Sequence, residues 1–263
     1  MYHAPGRFKA RNTAVQQIQR QRYPFRFNLI PTAYPTNTGI MFFNMLTTAL
    51  ALFLTAAITP TAAGPAAALP RSAAASVQVT PHDSYSSSIG VLGCKVDPNR
   101  IAYFPSFPSC ASLCKRVSHA GRSLVLLHAD TSGGAYDISY DAFVQLVTGQ
   151  SARVNPIAAD PTVMEVEDVP TGDPACRALL PGGRLPMMAS SPNWALGCPG
   201  WEGLVEFWNV MDTQCRWGRF EICGFDGNVP SCPSGMANPT WVIPPDQHVK
   251  NIEYMTGKEN PAL

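Results

Sequence analysis

Apolar and polar positions are most legible between His119 and Gly149. His119-Ala120-Gly121 reads as a turn, and Ser123-Leu124-Val125-Leu126-Leu127-His128 is an apolar run of strand length. Thr131-Ser132-Gly133-Gly134 breaks that run; a lone glycine pair with no Lys after it is a turn and not a phosphate loop. Asp137-Ile138-Ser139 then leads into a predicted helix from Tyr140. Its Ala142, Phe143, Leu146 and Val147 share one face, Ser139 is placed to cap it, Asp141 lies in its first turn and Gly149 stops it. Val77-Gln78-Val79-Thr80 alternates like a first strand, and Val163 to Val169 reads as a later one with Glu165 and Glu167 on one face. From Thr171 onward Pro and Gly recur without long periodic segments, so cysteines are expected to hold that part together.

Charge divides the 263 residues unevenly. Residues 1–71 hold Arg7, Lys9, Arg11, Arg20, Arg22, Arg26 and Arg71 with no Asp, Glu or Cys, whereas all 18 acidic residues and all 8 Cys follow. The net charge of +1 therefore joins a basic front to an acidic remainder of domain size. An acidic domain without a Lys/Arg face is a poor phosphate binder, which argues against a nucleic-acid partner. Met45 to Ile58 is an uncharged apolar stretch followed by Pro60 and small residues. That is a signal-peptide core in length, shorter than the roughly 20 residues of a bilayer span, so secretion without a membrane span is expected. About 40 residues precede it, and they read as a nonstandard leader or an over-extended gene start, with Met41 or Met45 as internal starts. An organellar transit peptide is the competing reading.

The cysteines are Cys94, Cys110, Cys114, Cys176, Cys198, Cys215, Cys223 and Cys232, which fit an oxidising compartment but can pair in about 105 ways. Cys110 and Cys114 form the only tight pair and the His residues are scattered, so neither a metal site nor a cofactor is expected. No N-x-[ST] site with a permitted middle residue occurs.

Several segments in order carry a family resemblance: Asp83-Ser84-Tyr85-Ser86-Ser87-Ser88 before Cys94, Phe107-Pro108-Ser109-Cys110 leading to Cys114, Gly121 to Asp130, Tyr136 to Phe143, and Gly149-Gln150-Ser151-Ala152. Val79 to Val169 thereby resembles the double-psi β-barrel of the cerato-platanin, expansin and barwin superfamily, a fungal-type secreted group. The resemblance implies a mainly β fold, a six-stranded double-psi barrel with a short docked helix, to which this chain adds a disulfide-rich irregular C-terminal extension. It implies a bridge from Cys94 to Cys110, and one from Cys114 to a cysteine after the barrel, with Cys176 as candidate. The organisation expected is a leader over 1–40, signal peptide and linker over 41–75, barrel over 76–170 and a Cys/Trp-rich extension over 171–263. Two departures stand out: Cys110 and Cys114 are one residue further apart than in cerato-platanins, and the extension is additional.

Asp137 is the sharpest chemical candidate, because Tyr136-Asp137-Ile138-Ser139 is similar to the segment that supplies the general acid in expansin-like endoglucanases; cerato-platanins carry Asn there. Glycoside hydrolysis usually needs a second carboxylate, about 6.5–9.5 Å away when a water is activated between them. Asp130 and Asp83 are the candidates. Against catalysis, an Asp just before a helix commonly accepts backbone N–H groups. His128 and Asp130, two apart on a strand, would share a face, but there is no G-x-S-x-G elbow and no evident nucleophile. All five Trp lie after residue 190. They serve either as core or as sugar platforms, and Trp194 and Trp201, in Pro/Gly-rich loops, are the platform candidates. The leading expectation is non-hydrolytic binding of cell-wall polysaccharide, cellulose or chitin oligomers, through a groove with Asp130, Asp137, Tyr103 and Tyr136. An endoglucanase or lytic transglycosylase using Asp137, and a surface or host-interaction protein without glycan binding, are the rivals.

Overall fold

A computed structural model describes residues 73–262, so the expected leader, signal peptide and most of the linker lie outside the described residues. The first six strands are β1 (Ala75–His82), β2 (Ile101–Phe104), β3 (Cys114–His119), β4 (Arg122–Thr131), β5 (Tyr136–Ser139) and β6 (Thr162–Val169). They close into a barrel in the order β1-β5-β2-β4-β3-β6, with β6 antiparallel to β1 and the pairs β1·β5 and β2·β4 parallel. This is the six-stranded double-psi fold that the family resemblance implied.

Alternation along each strand divides inside from outside. Val79, Ala102, Phe104, Val117, Leu126, Ile138, Met164 and Val166 fill the barrel, joined by Ala142, Phe143 and Leu146 from helix α1 (Tyr140–Thr148). Gly149 ends the helix at φ 83°, a left-handed conformation that glycine adopts without strain. Ser139 does occupy the N-cap position, but its hydroxyl does not cap. It donates to the Pro98 carbonyl at 2.7 Å and accepts from the Ile101 N–H at 2.9 Å, fastening the start of β2 to β5.

The extension adds β7 (Leu185–Met188), β8 (Val205–Val210) and β9 (Gly218–Ile222) as one sheet. Two hairpins follow, β10 (Gly224–Asp226) with β11 (Val229–Ser231) and β12 (Lys250–Ile252) with β13 (Glu259–Pro261). The boundary expected near residue 170 is not a break in packing. Ile101, Leu127 and Ala129 on the barrel's outer surface share a core with Leu185, Met187, Val205 and Phe207. Burying each large aliphatic side chain there contributes about 1.5–3 kcal/mol.

The disulfides reflect that shared core. Cys114–Cys176 forms as the resemblance implied. The implied Cys94–Cys110 bridge does not: Cys94 pairs with Cys215 and Cys110 with Cys198, because the added sheet brings extension cysteines against the barrel loops. Cys223–Cys232 closes the β10–β11 hairpin. No helix among the described residues is long and apolar enough to cross a membrane.

Candidate functional site

Four neighbouring strands place Thr80, Asp137, Tyr103 and Asp130 in one row on the barrel's outer face. Thr80 is the register partner of Asp137, Asp137 of Tyr103, and Tyr103 of Asp130. Register partners share a face, and two strand spacings separate the Asp130 and Asp137 backbones by about 10 Å. The row exists because β4 carries a bulge. Ala102 faces His128 and Tyr103 faces Asp130, which leaves Ala129 as an extra residue. His128 and Asp130 therefore point to opposite sides, His128 into the barrel and Asp130 outward, contrary to the simple alternation expected for residues two apart.

The two carboxylates have different surroundings. Asp130 is only 6% exposed and lies beneath the loop that follows β1. It accepts from the Ser88 N–H, from the Ser88 hydroxyl at 2.6 Å and from the Thr131 N–H at 2.7 Å. Asp137 is half-buried and accepts from the Thr80 hydroxyl. Between them, the Tyr103 ring meets His82 edge-on at 5.1 Å. Burial, with Asp130 and Asp137 adding to it, pushes the Tyr103 phenol well above its ordinary pKa, so it stays a neutral donor and acceptor.

One row along, His82 and Ser139 begin a polar trough between this face and the C-terminal hairpin. Its narrow end, with room for about 10 Å³, is lined by His82, Asp83, Asn99, Tyr103, Asp141 and Asn251 among others. Its wider part, about 230 Å³, is lined by Asp83, Ser84, Gln214, Asn251, Glu253, Asn260 and Pro261. The hairpin is fastened there: Tyr85 N–H donates to Asn251 Oδ1 at 3.0 Å and Tyr254 N–H to Asp83 Oδ2 at 3.2 Å. Neither Lys nor Arg lines either part.

Other expected site residues lie elsewhere. Tyr136 is next to Asp137 in the chain and so points the opposite way, into the barrel, where it meets Phe104 edge-on at 5.1 Å. Trp194 packs on the shared core and donates its Nε1–H to the Pro108 carbonyl at 3.1 Å. Trp201 packs edge-on against Phe207 and Phe225. Neither Trp lines the trough. Conversely, Gln214, Asn251, Glu253 and Asn260 carried no sequence signal, since they sit in loops or in three-residue strands too short to show a period, whereas His82, adjoining Asp83, was within reach of inspection. No cluster of three or more His, Cys, Asp or Glu able to hold a metal occurs among the described residues.

Fold and site together define a disulfide-bonded, mainly β protein with a polar trough on the outside of a six-stranded double-psi barrel. No protein-family model matches the chain, and no curated protein matches it. Among solved structures it is similar to the solution structure of the fungal elicitor Cerato-Platanin, with 18% identity, a TM-score of 0.26, and coverage of 35% of this chain and 92% of that one.

Proposed function

We propose that this is a secreted protein that binds cell-wall polysaccharide, cellulose or chitin oligomers, without hydrolysing it. The observation that supports this reading best is the trough itself. Carboxylates and side-chain amides, with the one ion-paired carboxylate, Asp141, neutralised by Arg100, suit neutral sugar hydroxyls, each of which donates and accepts. Asp137, on the next row, offers a half-buried acceptor beside the Tyr103–His82 ring pair. A hydrolytic reading needs two working carboxylates, and Asp130, the partner in that row, is already committed to three hydrogen bonds under a loop. Eight cysteines all paired with one another support an oxidising, extracellular setting.

The test is retention of the full chain on insoluble chitin and cellulose, with soluble sugar assayed in the supernatant. Retention without sugar release is expected, with retention weakened in Asp137→Ala. Steady sugar release that disappears in Asp137→Asn would replace this reading by the glycosidase one. Absence of retention on every glycan would leave the barrel as a scaffold for protein contacts.

A further inference from the structure

In the extension, two aromatic rings enclose the ammonium of Lys95. Burial alternates along β8, so Val205 and Phe207 enter the core shared with the barrel while Glu206, Trp208 and Val210 face the other side of the sheet. β9 sets Phe220 beside Trp208, with ring centroids 6.4 Å apart and planes at 88°, so the two rings form the walls of a corner. Lys95 follows Cys94, which is tied to Cys215 in the small core under these rings. Its Nζ reaches into the corner, 4.2 Å from the Trp208 centroid and 3.9 Å from that of Phe220. Both contacts lie within the roughly 6 Å over which a ring face attracts a cation.

The corner suits a positive charge better than it suits an ammonium. An ammonium carries N–H donors that need acceptors. Among the described residues, Lys95 Nζ has neither a hydrogen-bond acceptor nor an ion-pair partner. Desolvation lowers its pKa, and Glu206 acts on it electrostatically in the opposite sense without pairing with it. Trp208 Nε1–H is likewise buried without an acceptor. The corner therefore attracts a cation through two ring faces and a carboxylate, and offers nothing to an N–H group. A cation without N–H groups keeps the attraction and escapes the cost of unpaired donors. Lys95 is free to leave: its backbone is held by the neighbouring disulfide and by its N–H on the Leu92 carbonyl at 3.1 Å, whereas its side chain is half-buried on a flexible stem.

We infer that Trp208, Phe220 and Glu206 form a binding site for a trimethylammonium group, and that Lys95 is a tethered occupant which such a group displaces. Trimethylammonium has a permanent charge, methyl groups that pack on ring faces and no donor to leave unpaired. Its competitor is intramolecular, at an effective concentration in the millimolar range, so the wild-type chain binds the free group weakly and loss of the Lys95 side chain strengthens binding. None of these residues lines the trough, so the inference does not rest on polysaccharide binding.

The experiment is titration of the full-length chain with choline chloride, followed by the chemical shifts of the Trp208 indole N–H and of the amides of Phe220 and Ile222, the latter being the register partner of Trp208. Sodium chloride and the neutral analogue of choline, with carbon in place of nitrogen, are the controls. Saturable shifts with choline alone are expected, with a Kd of about 10 mM in wild type and about tenfold lower in Lys95→Ala. In the Lys95→Ala background, Phe220→Leu and Glu206→Gln should each weaken binding about threefold or more. A lysine that merely covers apolar surface would not give tighter binding on its removal. Co-sedimentation of the wild-type chain with phosphatidylcholine vesicles, reversed by choline, would place the group on a lipid, whereas saturation by choline without co-sedimentation would place it on a free compound; both outcomes uphold the site. Absence of saturable shifts in both chains up to about 200 mM choline, an equal response to the neutral analogue, or unchanged affinity in Lys95→Ala would overturn the inference.

Discussion

Asp130 and Asp137 flank Tyr103 in one row of the barrel's outer face, yet Asp130 is sealed under a loop and Asp137 is half open. That difference separates stability from binding. Asp130 anchors Ser88 and Thr131 through charge-assisted hydrogen bonds, and Asp130→Asn turns at least one donor against another. The expected cost is about 1–3 kcal/mol of unfolding free energy in urea. Asp137→Asn loses only the charge on one hydrogen bond from Thr80 and should cost under about 1 kcal/mol. Equal losses in the two variants would contradict the division.

His128 makes the fold acid-sensitive. Burial first, then the neighbouring Lys115, lowers its pKa from 6.5 to about 4. The unfolded chain therefore binds the proton more readily than the folded one. Stability contributed by keeping this ring neutral is complete above pH 6.5, declines as pH falls toward 4, and changes no further below that. The full swing is about 3 kcal/mol. Urea midpoints at pH 7 and pH 4 should differ more in wild type than in His128→Leu. A variant with the same pH slope as wild type would show that other groups set it.

The four bridges should not be equivalent. Cys94–Cys215 spans 121 residues and ties the loop before β2 to the extension, whereas Cys223–Cys232 spans 9 within one hairpin. Loop-closure entropy gives about 5 kcal/mol for the first and about 2.5 for the second. Cys94→Ser with Cys215→Ser is expected to lower the melting temperature further than Cys223→Ser with Cys232→Ser. Comparable losses would mean that the short bridge does more than restrain the unfolded chain.

How far the sequence could be read depended on range. The strand, glycine bend and helix between Gly121 and Gly149 were legible because alternation and the left-handed stop at Gly149 are local signals. Strand period alone also implied that Tyr136 and Asp137 face apart, a consequence that grouping them in one groove overlooked. The Ala129 bulge was not legible, since only the pairing with β2 reveals the extra residue. Nor were the partners of Cys94 and Cys110, because packing between segments 121 and 88 residues apart selects them. The trough's far wall was invisible for the same reason: Asn251 meets Tyr85 across 166 residues.

That far wall depends on Gly257, where the loop between β12 and β13 lies against the barrel domain. Its φ of 69° favours glycine, and an added Cβ would stand 2.2 Å from the Ala152 carbonyl oxygen. Backbone there cannot yield as a flexible side chain would, so Gly257→Ala must push the hairpin away. Tyr254, whose hydroxyl accepts from the Ala159 N–H and donates to the Ala159 carbonyl, would move with it, and so would Asn251 and Glu253 at the trough. The barrel core of Val79, Phe104 and Phe143 lies in a separate cluster and should persist. The variant is expected to keep a cooperative unfolding transition at a midpoint lowered by about 1–3 kcal/mol, with faster amide exchange at Asn251 to Thr256 and weaker retention on chitin or cellulose. Retention equal to wild type, with the hairpin amides exposed, would show that the C-terminal wall takes no part in holding the polymer.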